Sequence, residues 1–251
     1  MNSSDRIAVE CRDVAKRFYY YEHRDGSLRE WFVRTLRGRP RKETNAGFHL
    51  DQLNVSVSVG ESVALIGSNG SGKSTALRIM AGIYSPTAGS VRVNGRMTAV
   101  IELGAGFHPE LSGRENVSLS GAVIGMKPGE MESRLESIIA FAELGDFIDT
   151  PVKYYSSGMR SRLAFAVSTA VNPDVALLDE ILAVGDATFR KRCLDWIDSF
   201  RARGGTLVFV SHDLDSVIRL ADRVIWMDAG SVRAEGDPRE VVDAYLASVA
   251  P

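Results

Sequence analysis

Eight consecutive residues, Gly67, Ser68, Asn69, Gly70, Ser71, Gly72, Lys73 and Ser74, fit the pattern G-x-x-x-x-G-K-[ST] at every fixed position. Glycines at this spacing let the backbone curl so that successive N–H groups converge on phosphate oxygens. The lysine supplies a cation for the outer phosphates, and the Ser74 hydroxyl has the chemistry to complete a magnesium shell. Two further groups extend this chemistry. Asp179-Glu180 follows the apolar run Val175-Ala176-Leu177-Leu178, and Ser211-His212 follows Thr206-Leu207-Val208-Phe209-Val210. Paired carboxylates at a strand end are hard to explain by packing. They suit a division of labour in which Asp179 holds a metal and Glu180 orients and polarises a water. His212 falls where it can touch a terminal phosphate.

These side chains need a sheet to hold them. Ser62-Val63-Ala64-Leu65-Ile66 reads as a buried strand directly before the glycine loop, and the residues from Thr75 to Met80 read as the helix after it. If the strands before the loop, before Asp179 and before Ser211 run parallel, their ends share one edge, which is where such sheets collect ligands. The expected fold is therefore an α/β domain. Other expected strands are Ile7 to Val14, Phe48 to Val59, Ser90 to Asn94 and Met97 to Leu103, with a turn at Pro86-Thr87-Ala88-Gly89. From Ser112 the character becomes helical: Ser112 and Glu115 have capping-box spacing, and Met131, Leu135, Ile138, Ile139 and Phe141 recur on one face between Pro128 and Leu144. This predicts a helical subdomain over 104–170. Upstream, Phe18-Tyr19-Tyr20-Tyr21 offers aromatics that could stack on a purine ring, although core packing accounts for them as well.

A segment over 26–42 stands apart. Ser27-Leu28-Arg29-Glu30 has capping-box spacing, and Leu28, Trp31, Phe32 and Leu36 follow at helical intervals. Arg24, Arg29, Arg34, Arg37, Arg39, Arg41 and Lys42 outnumber the acids there, so a basic amphipathic helix for a headgroup boundary or a polyanion is expected. A solvated helix docked on its own domain is the alternative.

Composition narrows the functions. At 251 residues and 45% hydrophobic content the chain can bury a sizeable core, and a net charge of -2 gives no general pull toward nucleic acid. Cys11 and Cys193 lack metal-ligand spacing and read as buried thiols in a reducing compartment. No run of about eighteen apolar residues could span a bilayer, so at a membrane another chain must do the spanning. A P-loop GTPase would need an N-K-x-D element, which Asn172-Pro173-Asp174 does not supply.

Taken in order, the phosphate loop, the helical insertion, Tyr155-Ser156-Ser157-Gly158-Met159, Asp179-Glu180 and Ser211-His212 resemble the ATP-binding cassette (ABC) ATPases over nearly the whole chain. The third element departs from the family consensus L-S-G-G-Q at Tyr155, Ser157 and Met159. Together with Glu102-Leu103-Gly104-Ala105-Gly106-Phe107-His108-Pro109 and Ile181-Leu182-Ala183-Val184-Gly185-Asp186, it is similar to the nucleotide-binding subunits of bacterial polysaccharide exporters.

The resemblance implies a single ABC ATPase domain over 1–251: a RecA-like P-loop NTPase core with a parallel central sheet, an antiparallel β subdomain and an inserted α-helical subdomain. It implies ATP and Mg2+ as ligands. Gly67 to Thr75 would hold the phosphates, Phe18 or Tyr19 the adenine, and Ser74, Asp179 and Glu102 the metal, with Glu102 standing where the family has its Q-loop glutamine. Glu180, His212 and Lys73 would serve hydrolysis. Ser156, Ser157 and Gly158 would clamp the ATP of a partner copy in a head-to-tail homodimer, across which Asp186 of the D-loop reaches. Two copies of a transmembrane permease at the cytoplasmic face of the inner membrane, lipid-linked polysaccharide as cargo, and no nucleic acid complete the expectation. The helix bearing Arg29, Trp31, Phe32, Arg34 and Arg37 would meet the lipid carrier or the permease. Some relatives add a C-terminal carbohydrate-binding domain; with the Asp237 to Ser248 helix so near Pro251, none is expected here. The alternatives are an ATP-driven regulatory dimer without transport and an ABC ATPase of another export substrate.

Overall fold

The computed structural model describes residues 7–20, 44–101, 104, 106–180 and 186–249, with the side chains of 19, 20 and 44–49 excluded. Period-two alternation organises the centre. Strands β3 (Ser62–Ile66), β6 (Val175–Asp179), β7 (Thr206–Val210) and β8 (Arg223–Asp228) each send alternate apolar side chains to opposite faces. Val63, Leu65, Val175, Leu177, Val208, Val210, Ile225 and Met227 enter one core. Their neighbours Ala64, Ile66, Ala176, Leu178, Leu207, Phe209, Val224 and Trp226 enter another. The sheet order is β5-β6-β7-β3-β8-β9, with β5 (Met97–Val100) parallel to β6 at one edge and β9 (Ser231–Gly236) antiparallel to β8 at the other.

A second, antiparallel sheet covers the first core. It is ordered β2-β1-β4, from β1 (Ile7–Tyr20), β2 (Thr44–Ser58) and β4 (Ala88–Val93). Strand β1 runs past the expected Val14 because bulges absorb the irregularity, one of them around Asp13, whose φ is 48°. Helix α1 (Lys73–Met80) lies in the same core through Ala76, Leu77, Ile79 and Met80.

The opposite core is closed by α5 (Ala187–Ala202), α6 (Leu214–Leu220) and α7 (Pro238–Val249), through Phe189, Ile197, Phe200, Val217, Leu220, Val241 and Val242. Between β5 and β6 the chain builds α2 (Gly113–Val123), α3 (Pro128–Ala142) and α4 (Ser157–Thr169), which share a third core of Val117, Met131, Ile138, Ile139, Leu163, Ala166 and Val167. This is the inserted helical subdomain. The Ser112 capping box forms as its spacing predicts: Ser112 Oγ accepts from Glu115 N at 3.3 Å, and the Glu115 carboxylate accepts from Ser112 N at 2.8 Å. Both cysteines are buried, and burial pushes each thiol up to about 12, so neither is a ready nucleophile. Among the described residues no helix is long and apolar enough to cross a membrane.

Candidate nucleotide site

Because β3, β6 and β7 are parallel and in register, with Leu65 opposite Val210 and Val210 opposite Asp179, their C-terminal ends deliver three loops to one edge. The first loop runs from Gly67 to Gly72 into α1. A Cβ on Gly67 would lie 2.1 Å from the carbonyl oxygen of Met227 in β8, and its φ of 141° is one that L side chains rarely adopt, so only glycine fits. Gly70 and Gly72 also have positive φ, which gives the loop its curl. Ser68, Asn69 and Gly70 are exposed at its tip, while Gly67, Ser71, Gly72, Lys73 and Thr75 are buried. Lys73 Nζ donates to the carbonyls of Gly67 at 2.7 Å and Ser68 at 2.9 Å. Burial lowers its pKa, against the opposing pull of Glu180 and Asp179. An arriving phosphate would offer that ammonium a stronger partner than two carbonyls.

Ser74 Oγ donates to Asp179 Oδ1 at 3.3 Å. Burial raises the Asp179 pKa, and the hydrogen bond from Ser74 works against it. A carboxylate and a hydroxyl side by side, with phosphate oxygens and waters to fill the remaining positions, fit an octahedral Mg2+ site of the nucleotide-bound kind. Among the described residues no cluster of three or more His, Cys, Asp or Glu could hold a metal without such help.

The carboxylate beyond Asp179 departs from simple strand alternation. Strand β6 ends at Asp179, and Glu180 takes a left-handed φ of 51°, held by its N–H donating to Val210 O at 3.1 Å. That conformation is uncommon for a side-chain-bearing residue and costs free energy, as is frequent at functional sites. It brings Glu180 Oε1 to 2.9 Å from His212 Nε2. Thus Lys73, Ser74, Asp179, Glu180 and His212 gather at the edge where the ends of β3, β6 and β7 meet.

A family model described as "ABC transporter" matches residues 50–183, which include the loop and the acidic pair. The chain belongs to the ABC transporter family. It is 45% identical over 245 residues to the O-antigen export system ATP-binding protein RfbB of Myxococcus xanthus, covering 96% of this chain and 56% of that protein. It is 40% identical over 242 residues to the RfbB protein of Klebsiella pneumoniae, covering 96% and 98%. Against the teichoic acids export ATP-binding protein TagH of Listeria monocytogenes serotype 4b it is 43% identical over 240 residues, covering 95% and 70%. Among solved structures, an ATP-binding subunit of an ABC transporter superposes with a TM-score of 0.74 at 21% identity, over 97% of this chain and 95% of that one. A dimeric cassette bound to ADP and Pi gives 0.72 at 24% identity, over 92% and 99%. These two likenesses speak for the fold, the ABC form of the P-loop NTPase.

The other residues that the ABC resemblance singles out stand on other elements or lie outside the described residues. Ser156 caps α4, its Oγ accepting from Met159 N at 3.2 Å, so the helix begins at Ser157. Ser156 and Ser157 are exposed, and an added Cβ on Gly158 would meet only Ser156 Oγ, at 3.9 Å. The turn is thus an open helix N-terminus, suited to an anion. Asp186 caps α5, accepting from Phe189 N at 2.9 Å. Phe18 meets Tyr84 edge to face, with ring centroids 5.7 Å apart. Glu102, the side chain of Tyr19, and Arg29, Trp31, Phe32, Arg34 and Arg37 with their whole expected helix lie outside the described residues.

Two further residues, Tyr155 and Asn116, shape the surroundings. Tyr155, the departure from the consensus leucine, is buried and donates its hydroxyl to Phe147 O at 2.7 Å. Asn116 is fully buried: its Oδ1 accepts from His108 N at 2.6 Å, and its Nδ2 is shared among the carbonyls of His108, Leu111 and Ser112. It thereby shapes the 108–112 loop. That loop is stitched to the segment before the Ser156 turn by Val152 N donating to Leu111 O and Lys153 N to Pro109 O, each at 2.9 Å, and by the Lys153 to Glu110 ion pair at 2.6 Å. A lone asparagine in a helical pattern gives no sequence signal of this.

Proposed function

We propose that the chain is the ATP-hydrolysing subunit of an ABC transporter that exports lipid-linked cell-surface polysaccharide, of the O-antigen or teichoic acid kind, across the inner membrane. The observation that carries it is the meeting of Lys73, Ser74, Asp179, Glu180 and His212 at one sheet edge, in a chain that matches 98% of the length of an O-antigen export ATP-binding protein. In this reading the backbone N–H groups from Gly67 to Thr75 and the Lys73 ammonium receive the phosphates. Ser74 and Asp179, with Glu102, hold Mg2+, which would neutralise phosphate charge when bound. Glu180 orients the attacking water and accepts its proton as the bond to the γ-phosphorus forms and the β–γ bridging bond breaks. His212 fixes the Glu180 carboxylate and lies within reach of the transferred group. Phe18, with Tyr19 beside it, carries the adenine.

The open turn Ser156-Ser157-Gly158 belongs to a different core from the glycine loop, which supports a head-to-tail homodimer in which each ATP lies between the loop of one copy and this turn of the other. Asp186 borders that joint. Hydrolysis then releases the clamp and passes the change to two copies of a transmembrane permease at the cytoplasmic face. A groove of about 240 Å³ lined by Ala99, Phe107, Val123, Ile124, Ala164 and Val167, with Leu119 and Val123 exposed beside it, offers that partner an apolar seat. The segment 26–42 would meet the lipid carrier or the permease through Arg29, Arg34 and Arg37, with Trp31 and Phe32 on the apolar side. Alanine at the three arginines should then reduce glycan export more than basal ATP hydrolysis.

The decisive experiment is genetic. Loss of the chain should leave lipid-linked glycan inside the cell, and resupply of the wild-type chain, but not Glu180→Gln, should restore it to the surface. Surface glycan made normally without the chain, or restored fully by Glu180→Gln, would overturn the proposal.

A further inference from the structure

The residue just before the open Ser156 turn is fixed by a side chain that reaches into the helical subdomain. Tyr155 is 4% exposed, and its hydroxyl donates to Phe147 O at 2.7 Å. Burial raises the pKa of that hydroxyl, with a backbone hydrogen bond from Gly113 working against it. The phenol therefore stays neutral and keeps its proton to donate. Residue 113, the first of α2, has to be small to admit it: a Cβ on Gly113 would lie 2.2 Å from the Tyr155 hydroxyl and within 3.0 Å of Ile148.

The backbone around this contact is pinned as well. Gly113 N donates to Thr150 O at 3.3 Å, Thr150 N to Phe147 O at 3.0 Å and Tyr155 N to Val152 O at 3.0 Å. Tyr155 itself is extended, with φ -73° and ψ 142°, and the next residue is the Ser156 cap of α4. Beyond the turn, Leu163 is fully buried and Met159 packs against the same third core. The Ser156-Ser157-Gly158 turn thus lies between two anchors, one of which is the Tyr155 side chain. The consensus leucine could fill part of that space but has no group to donate.

We infer that Tyr155 is a positioning residue for the clamp: its hydroxyl, lodged against Gly113 and bonded to Phe147 O, holds the Ser156-Ser157-Gly158 turn where it meets the ATP of the partner copy. The inference rests on the reading of that turn as the clamp. Tyr155 belongs to the third core, whereas the helix after the glycine loop belongs to the first. Loss of the hydroxyl should therefore leave ATP binding by a single copy alone and weaken the joining of two copies. A turn that is already set gives up less conformational freedom when the copies meet.

The test uses the full chain with Glu180→Gln as the parent, so that ATP is not consumed, and adds Tyr155→Phe, Ile138→Val or Gly158→Asp. Sedimentation with ATP and Mg2+ gives the dimer Kd, and titration of a fluorescent ATP analogue at protein concentrations far below that Kd gives the affinity of a single copy. Tyr155→Phe should raise the dimer Kd about 3- to 10-fold, the scale of one buried hydrogen bond, with single-copy affinity within about 2-fold. Ile138→Val loosens the same core away from the turn and should leave the dimer Kd within about 2-fold. Gly158→Asp sets a carboxylate against the phosphates and should abolish the dimer. If Gly158→Asp blocks dimerisation and Tyr155→Phe dimerises like the parent, the inference fails while the clamp stands. Equal weakening by Tyr155→Phe and Ile138→Val, or a matching loss of single-copy affinity in Tyr155→Phe, would mean general damage and would also overturn it. If Gly158→Asp dimerises like the parent, or the parent does not dimerise with ATP, the clamp itself is wrong and the inference falls with it.

Discussion

Glu180 Oε1 lies 2.9 Å from His212 Nε2, so the candidate base just after β6 is held by the second residue after β7. Both side chains are about half exposed, at 49% and 53%, so water reaches the carboxylate. Replacing Glu180 by Gln keeps the size and a hydrogen bond to His212 but removes the proton acceptor. The variant should bind ATP near the wild-type affinity, lose about 100-fold or more in turnover, and accumulate as an ATP-bound dimer. Steady-state phosphate release and size-exclusion with ATP measure the two effects. Full activity in this variant would exclude Glu180 as the base.

Asp179 is held at a cost. Burial raises its pKa, so in the interval between its unfolded and folded values the native state binds more protons than the unfolded chain. In that interval this group's contribution to stability falls as pH rises, and above the folded value the full penalty is present. Asp179→Asn removes the charge and can still accept from Ser74 Oγ. The ligand-free variant should therefore melt about 2 °C higher than wild type at neutral pH, with the gain disappearing at acidic pH, while magnesium-dependent ATP hydrolysis is lost. Thermal scans at several pH values report the first part, and an unchanged or lower melting temperature at pH 7 would contradict it.

Asn116, in α2, holds the loop that leads into that helix. In Asn116→Leu the His108 N–H and the carbonyls of His108, Leu111 and Ser112 lose their buried partner. A cost of about 2–4 kcal/mol is expected, which for a chain of this size lowers the melting temperature by roughly 5–15 °C. Hydrogen exchange should quicken at 108–112 and, through the Leu111 and Pro109 carbonyls, at Val152 and Lys153. Unaltered exchange at 152 and 153 would show that the two segments are not coupled.

How legible these features were depended on how local their cause is. Strands β3 and β7 were readable to the residue because each is a continuous apolar run closed by a polar loop, and the Ser112 cap needs only four residues. The glycine loop was equally plain, since its geometry is imposed by Gly67 to Gly72 themselves. Strand β1 ran further than its alternation suggested because pairing with both neighbours tolerates the bulge at Asp13. Contacts such as Phe18 with Tyr84, or Asn116 with its loop, come from the way distant or irregular segments are folded against each other. No periodicity encodes them. The left-handed turn at Glu180 was also hidden, because its residue type does not announce a positive φ.

The joint between the helical subdomain and the core offers a last prediction. Helix α3 ends at Glu143, a non-glycine residue with φ 53°, whose carboxylate meets Arg192 of α5 at 2.5 Å and Arg162 of α4 at 3.4 Å. Arg192 also donates to the Ala140 and Phe141 carbonyls at the C-terminal end of α3, each at 3.3 Å. Glu143 thus accepts a left-handed backbone in exchange for bridging two helices. Alanine keeps the backbone penalty and breaks both ion pairs, whereas glycine breaks both pairs but removes the penalty. Glu143→Ala should therefore be about 1 kcal/mol less stable than Glu143→Gly in urea unfolding, and Glu143→Gly should lie within about 1 kcal/mol of wild type because the ion pairs are partly exposed. The Arg192→Gln substitution should cost less in the Glu143→Gly background than in wild type, since part of its partner is already gone. Equal costs in both backgrounds would mean that Arg192 acts through the α3 carbonyls alone.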